Sequence, residues 1–238
     1  MRKLRNQQIA CRGAVYLLGL AVLALGITLN TKTDLGVSPI ISVPYSVADI
    51  WGLNLGNTIF AFYTLCVLAQ WAILRRQFSW LDFLQIPISL ITSQFINLFD
   101  WLIQVRIEHT AARLALLAAA IAATGAGAAL MVMMELVPNP ADALARVIGG
   151  KLKKGFGFGK NVFDLTCFAA AVLIGLLFAG RLSGVGAGTV VAVLFTGRAV
   201  AAVNLLCKEK LQRLAGMKTG GVDAAEAEAL EEPESPAL

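Results

Sequence analysis

The sequence predicts an all-α fold: a polytopic membrane bundle of six transmembrane helices, arranged as an inverted three-plus-three repeat with two short helices. Three observations predict it. The residues are 58% hydrophobic and only 15% charged, where a soluble domain carries about 25% charged residues, and the mean hydropathy is +0.73. Six apolar runs occur, each near the roughly 20 residues a helix needs to cross a bilayer. A non-spanning stretch between the first two runs, 34–57, has a second copy at 135–161. In each copy an acid and a leucine come first (Asp34-Leu35, Glu135-Leu136), followed by a polar residue joined to proline (Ser38-Pro39, Asn139-Pro140). A polar N-cap before a proline at the first helical position starts a helix. Each half therefore opens a short helix beside a span, either re-entering the membrane or lying on its surface.

In chain order, residues 1–12 form a basic tail with Arg2, Lys3, Arg5 and Arg12, and the first run covers 13–31. No small-x-small cleavage pattern follows it, so an uncleaved first span is expected rather than a signal peptide. Runs at 57–74 and 83–103 complete the first repeat, 13–103. An outer loop, 104–113, leads to the second repeat, 114–207, with runs at 114–137, 161–180 and 186–207. The segment 208–238 ends in six acids, alanines and two prolines, a composition that builds no core and predicts a disordered cytoplasmic tail.

Loop charges set the expected orientation. Of the 20 Lys and Arg residues, fifteen fall on the side of the N-terminus, four (Lys32, Arg106, Arg113, Arg181) on the other, and Arg198 inside the last run. Positive residues mark the cytoplasmic side, so both termini are placed there. The tryptophans (Trp51, Trp71, Trp80, Trp101) fall at span ends, where indole favours the interface. With three spans per half, the second half enters upside down. Interrupted segments at matching positions of inverted halves point to the binding site of a secondary transporter; a duplicated but inert bundle is the alternative.

Candidate site residues follow from cost and position. Arg198 lies near the middle of an apolar run, where an unpaired charge costs at least ~2.5–3.5 kcal/mol, so it is expected to face the interior with a partner. Alignment of the third and sixth runs sets Gln94 opposite it. Ser89, Ser93, Asn97 and Asp100 recur at helical spacing beside Gln94 and form a polar stripe. Ser38, Asn139 and Tyr45 belong to the two short helices, whose free N–H groups and positive dipole ends suit an anionic group. Asp34 and Glu135, at matching repeat positions, and Asp142 are candidates for ion coupling. Asp142 with Arg146, and Lys160 with Asp164, have the spacing of local ion pairs.

Other motifs fall short. The GFGFGK stretch ending at Lys160 has Lys154 where a P-loop needs glycine, and it is not GxGxxG. The four cysteines (Cys11, Cys66, Cys167, Cys207) show no CxxC spacing and read as packing residues. The single histidine, His109, assembles no metal cluster or nucleophile–base pair. No enzyme, metal, cofactor or nucleic acid is expected.

Lys32, the DLGVSP stretch from Asp34 to Pro39 and the GLNLG stretch from Gly52 to Gly56 resemble the YczE/YyaS/YitT family of bacterial membrane proteins. The resemblance covers residues 10 to about 207, and the second copy departs from it with Val137 after Leu136. It implies a multi-pass protein of the bacterial inner membrane and favours transport. The expected function is secondary transport of a small solute, an organic anion preferred, bound between the repeats near the bilayer midplane. A substrate-binding membrane subunit of an ATP-driven importer and a non-transporting scaffold are the alternatives, and association into a homodimer is left open.

Overall fold

The computed structural model describes residues 6–105 and 107–217, and among them every regular element is helical. The helices are α1 (Asn6–Thr31), α2 (Pro39–Trp51), α3 (Leu55–Leu74), α4 (Gln85–Leu102), α5 (Thr110–Met134), α6 (Pro140–Lys151), α7 (Gly155–Ile174) and α8 (Ala187–Leu214). Short 3-10 turns at Arg75–Gln77 and Trp80–Leu84 lead into α4, and a π-helical turn, Gly175–Ala179, extends α7. The order long, short, long, long occurs twice. One constant offset in numbering carries the bounds of α1–α4 onto α5–α8 to within a few residues, except that α8 runs about eleven residues past the matched end of α4.

Five helices, α1, α3, α5, α7 and α8, are long and apolar enough to cross a membrane. Their outward faces expose large side chains such as Leu17, Leu65, Leu165, Leu177 and Leu205, far more apolar surface than a water-soluble monomer leaves bare. This is the build of a multi-pass membrane protein. α4 falls outside that set because its 18 residues include Gln85, Ser89, Ser93, Gln94, Asn97 and Asp100.

The largest interface joins α1 to α5, and it is antiparallel. Arg12, near the start of α1, donates from Nε to the carbonyl of Met134 (2.6 Å) and from Nη2 to that of Glu135 (2.9 Å) at the end of α5. Arg113, near the start of α5, reaches the Asp34 carboxylate just past the end of α1 (3.4 Å). Between these ends the two backbones touch. A Cβ at Gly127 would meet the backbone nitrogen of Leu23, and one at Gly26 would meet Thr124. Small residues at such crossings let helix backbones approach and gain dispersion contact that lipid cannot replace.

We call the face where α1 begins the near face and the opposite one the far face. α4 runs from near to far. Gln85 at its start bonds Gln70, which also reaches the start of α6 (3.1 Å to the Pro140 carbonyl), and Asp100 at its end pairs with Lys32 just past α1 (2.6 Å). α4 therefore connects the same two faces as α1. The short helices α2 and α6 both pack against α3 and α7, forming the centre of the molecule. α8 leans on α5; α3 packs on α4, whereas α7 and α8 make no comparable interface.

The structure differs from sequence expectation at several boundaries: α1 begins at Asn6, inside the expected tail, and α5 at Thr110, inside the expected outer loop. α7 begins at Gly155 rather than 161, because the glycine stretch is a packing surface for α6: Gly159 meets the Ala145 carbonyl and Gly149. α8 continues to Leu214, so 208–214 are helical rather than tail. The acidic stretch from 219 onward, Arg106 and residues 1–5 lie outside the described residues.

Replacing Gly127 by leucine should force α1 and α5 apart. The expected cost is about 1–3 kcal/mol or more, as for overpacking a tight core. Thermal unfolding in detergent should show a clearly lowered midpoint, while Gly13→Leu, at a position with open space around it, should leave the midpoint near that of the parent.

Candidate functional site

Two loops cross at the far face, one joining α1 to α2 and the other joining α7 to α8. Asp34 and Gly36 take left-handed backbone angles (φ 56° and 100°), which turn the first loop inward. The Val37 N–H then donates to the Gly184 carbonyl (2.9 Å), and the Gly188 N–H donates to that of Leu35 (2.7 Å). Beside this crossing lies a cavity of about 320 Å³ lined by Asn30, Asp34, Tyr45, Asp49, Arg181 and Ser183, among others. Its charges are unevenly used. Asp49 Oδ2 accepts from Arg181 Nη2 (2.8 Å) and from Ser183 Oγ (2.6 Å), and Ser46 Oγ donates to the Ser183 carbonyl (2.7 Å). That network ties the second loop to α2 and neutralises Arg181. The Asp34 side chain, by contrast, is 79% exposed and meets only Arg113, at 3.4 Å.

A smaller pocket of about 10 Å³ adjoins the cavity, sharing Asn30 and Val37 with it and lined also by Ser38, Thr124 and Thr196. It has room for a single water. Asn30 is only 6% exposed, and its Oδ1 is buried without a hydrogen-bond partner. Ser38 is the N-cap of α2 but its side chain makes no capping bond. This helix start is polar, uncapped and open to the cavity.

The matching start of α6 is closed. Asn139 Oδ1 accepts from the Ala141 N–H (3.0 Å), and its Nδ2 donates to the Tyr63 hydroxyl (3.3 Å). Tyr16 donates to the Val137 carbonyl (2.8 Å). Gln70 and Gln85 exchange amide bonds at 3.1 and 3.2 Å, both side chains buried. Asp142 pairs with Lys160 (3.1 Å) rather than with Arg146, and Lys160 also lies 3.6 Å from Asp164. Arg146 instead stacks on Phe156.

The sequence-predicted residues thus fall into separate places. Asp34 and Tyr45 line the far-face cavity, with Ser38 in its side pocket. Asn139 and Asp142 belong to the sealed near-face cluster, and Glu135 gives its backbone carbonyl to Arg12 while its side chain is exposed. Asn97 fixes α4 to the start of α3, accepting from the Gly56 N–H (3.0 Å) and donating to Asn57 Oδ1 (3.2 Å); Ser93 is buried beside it. Gln94 points outward. Arg198 does not face the interior: it is exposed on α8 and stacks over Phe195. The offset that matches Ser38 with Asn139 sets Asn97, one helical turn past Gln94, opposite Arg198.

Residues 10–205 match the model of a family described as "Family of unknown function (DUF6198)". The chain belongs to that family. Comparisons with curated proteins and with solved structures gave no match. The DUF6198 match spans both copies of the helix pattern, from α1 into α8, and brings no activity with it.

Asn30, Asp49, Arg181, Gln70 and Gln85 were not singled out by sequence. A polar residue inside or at the end of an apolar run was the available signal for Asn30 and Gln70. For Asp49 and Arg181, 132 positions apart in the chain, there was none.

Gln70→Leu should leave the Gln85 amide buried and unpaired, lowering stability by about 1–3 kcal/mol. The double variant Gln70→Leu/Gln85→Leu should recover most of that loss, read as unfolding midpoints of the three proteins against the parent.

Proposed function

We propose that this chain is a secondary transporter of a small polar solute, which enters from the far face through the cavity beside α2. One observation carries the reading. Two short helices start at matching positions on opposite faces; one start is uncapped and borders the cavity's side pocket (Ser38), while the other is capped by its own side chain (Asn139). A molecule that exposes its centre to one side at a time needs that difference.

The six-span inverted repeat belongs to the same proposal. The antiparallel α1/α5 pair supports it, since opposite directions require an odd number of crossings in the first half, and α4 supplies the third. The reciprocal reach of Arg12 to Glu135 and Arg113 to Asp34, both acids in left-handed conformation, is the pattern a two-fold relation between halves produces. The charge bias among the loops sets the near face in the cytoplasm. The resemblance to the YczE/YyaS/YitT family, with a bacterial inner membrane as the setting, agrees with transport. An anion finds less support, because Arg198 lies off the cavity and the start of α6 is capped by Asn139.

Exchange of the two half-structures supplies a second state. A Cβ at Gly56 would collide with Asn97 and the Ser93 carbonyl, because α4 lies directly on the start of α3. The matching Gly157 has nothing within 4 Å, because α8 stands away from α7. In the exchanged state α8 lies on the start of α7, and Arg198, at the position matching Asn97, leaves the lipid-facing side. An arginine held at the bilayer centre costs at least ~2.5–3.5 kcal/mol, so this docking relieves a charge now poorly placed.

Cysteines introduced at Gly157 and Arg198, after removal of the four native ones, should cross-link in membranes, with a yield that falls as solute holds the far-face cavity open. Asn57→Cys with Asn97→Cys is the control pair already in contact. Efficient control cross-linking with none at 157/198 under any condition would contradict alternating access. It would favour a scaffold, or a binding subunit awaiting an ATP-driven partner.

A further inference from the structure

We infer that the solute is a small organic cation, a primary amine or alkanolamine, held by Asp34 and Asn30. This rests on the transporter reading above and names the chemistry of its cavity. Two acceptors lining this region, Asp34 and Asn30 Oδ1, have unused capacity. Asp49 Oδ2 already accepts from Arg181 and Ser183, so the charges of Asp49 and Arg181 largely offset each other. Asp34 meets only Arg113, at 3.4 Å, with its side chain 79% exposed, while Arg113 gives its shorter bond to the Ile107 carbonyl (2.8 Å). Deeper in, Asn30 is 94% buried by its 6% exposure, lines both the cavity and the side pocket, and leaves Oδ1 without a donor. A buried acceptor without a donor is costly, and a ligand N–H or O–H removes that cost.

The field at the site has the same sign. Asn30 and Thr31 form the last turn of α1, the negative end of its dipole. The start of α2 opposes it, yet its first residue is Pro39, which has no N–H, and the Ile41 and Ser42 N–H groups both go to the Ser38 carbonyl. Little remains there for a carboxylate. An ammonium at Asp34 with a hydroxyl on the second carbon, as in ethanolamine, offers one donor to each of these two acceptors, and the side pocket of about 10 Å³ limits the buried end to one heavy atom.

Thermal unfolding of the full chain in detergent, with methylammonium, ethanolamine, acetate, lactate and glycine as probes, tests this. Ligands of the native state raise the midpoint with saturation. Ethanolamine should raise it most and methylammonium less. Asp34→Asn and Asn30→Leu should each weaken ethanolamine binding about tenfold or more, the worth of one hydrogen bond to a charged group; Arg198→Ala should bind as the parent does. Without ligand, Asn30→Leu should melt at or above the parent temperature, because it removes a buried unpaired acceptor. Stabilisation by acetate or lactate alone, or by glycine alone, would overturn the cation assignment and keep the transporter reading. Amine binding unchanged in both variants would overturn the site. A panel with no response would overturn both.

Discussion

The backbone contact between α1 and α5 is the constraint on which the rest of the structure depends. Gly26 and Gly127 bring two apolar helices together until backbone meets backbone, and Arg12 and Arg113 hold the ends in register. In a bilayer no hydrophobic gain separates helix–helix from helix–lipid contact, so close packing and interhelical hydrogen bonds set the arrangement. Once α1 and α5 are antiparallel, the loops that follow them must lie on opposite faces. The starts of α2 and α6 go with them, and each short helix then packs between α3 and α7.

The two halves use the same plan with different side chains, and the differences matter more than the likeness. Near α6 most polar groups find partners: Asn139 with Ala141 and Tyr63, Gln70 with Gln85, Asp142 with Lys160; the buried Asp164 Oδ1 has only Lys160, at 3.6 Å. Near α2 the corresponding region holds a cavity, an uncapped Ser38 and an unpaired Asn30 Oδ1. In an apolar surrounding, unpaired polar groups are the expensive ones, which makes them the groups where a ligand gains most. The bare face of α8, with Arg198 in it, is the other unspent feature, and the empty space at Gly157 is its counterpart on α7.

Much of this was legible in the chain. The starts at Ser38-Pro39 and Asn139-Pro140 are local signals, and α2 and α6 begin at those prolines. The matching acids were legible as a pattern, and both adopt the left-handed helix-ending conformation. Direction around a helix was not. Arg198 was expected to face inward because charge in lipid is costly, but rotation of α8 is decided by α5 on one side and the missing α7 contact on the other. Periodicity carries no record of that. The Asp142 partner differs from expectation for a related reason: spacing offers Arg146 on the same helix, and only tertiary packing brings Lys160 closer. The apolar run starts at 161, but α7 begins at Gly155; glycine disfavours helix by about 1 kcal/mol, and close packing against α6 overrides that preference.

The central claim is that the two matching loops face opposite sides of the membrane. Single cysteines at Asp34 and at Glu135, both exposed, can be labelled with a membrane-impermeant maleimide in vesicles of known orientation, in a chain lacking the native cysteines. The account predicts that right-side-out vesicles label only the cysteine at 34 and inside-out vesicles only the one at 135. Labelling of both from the same side would contradict the antiparallel crossing of α1 and α5, and with it the cavity's place at the outer face.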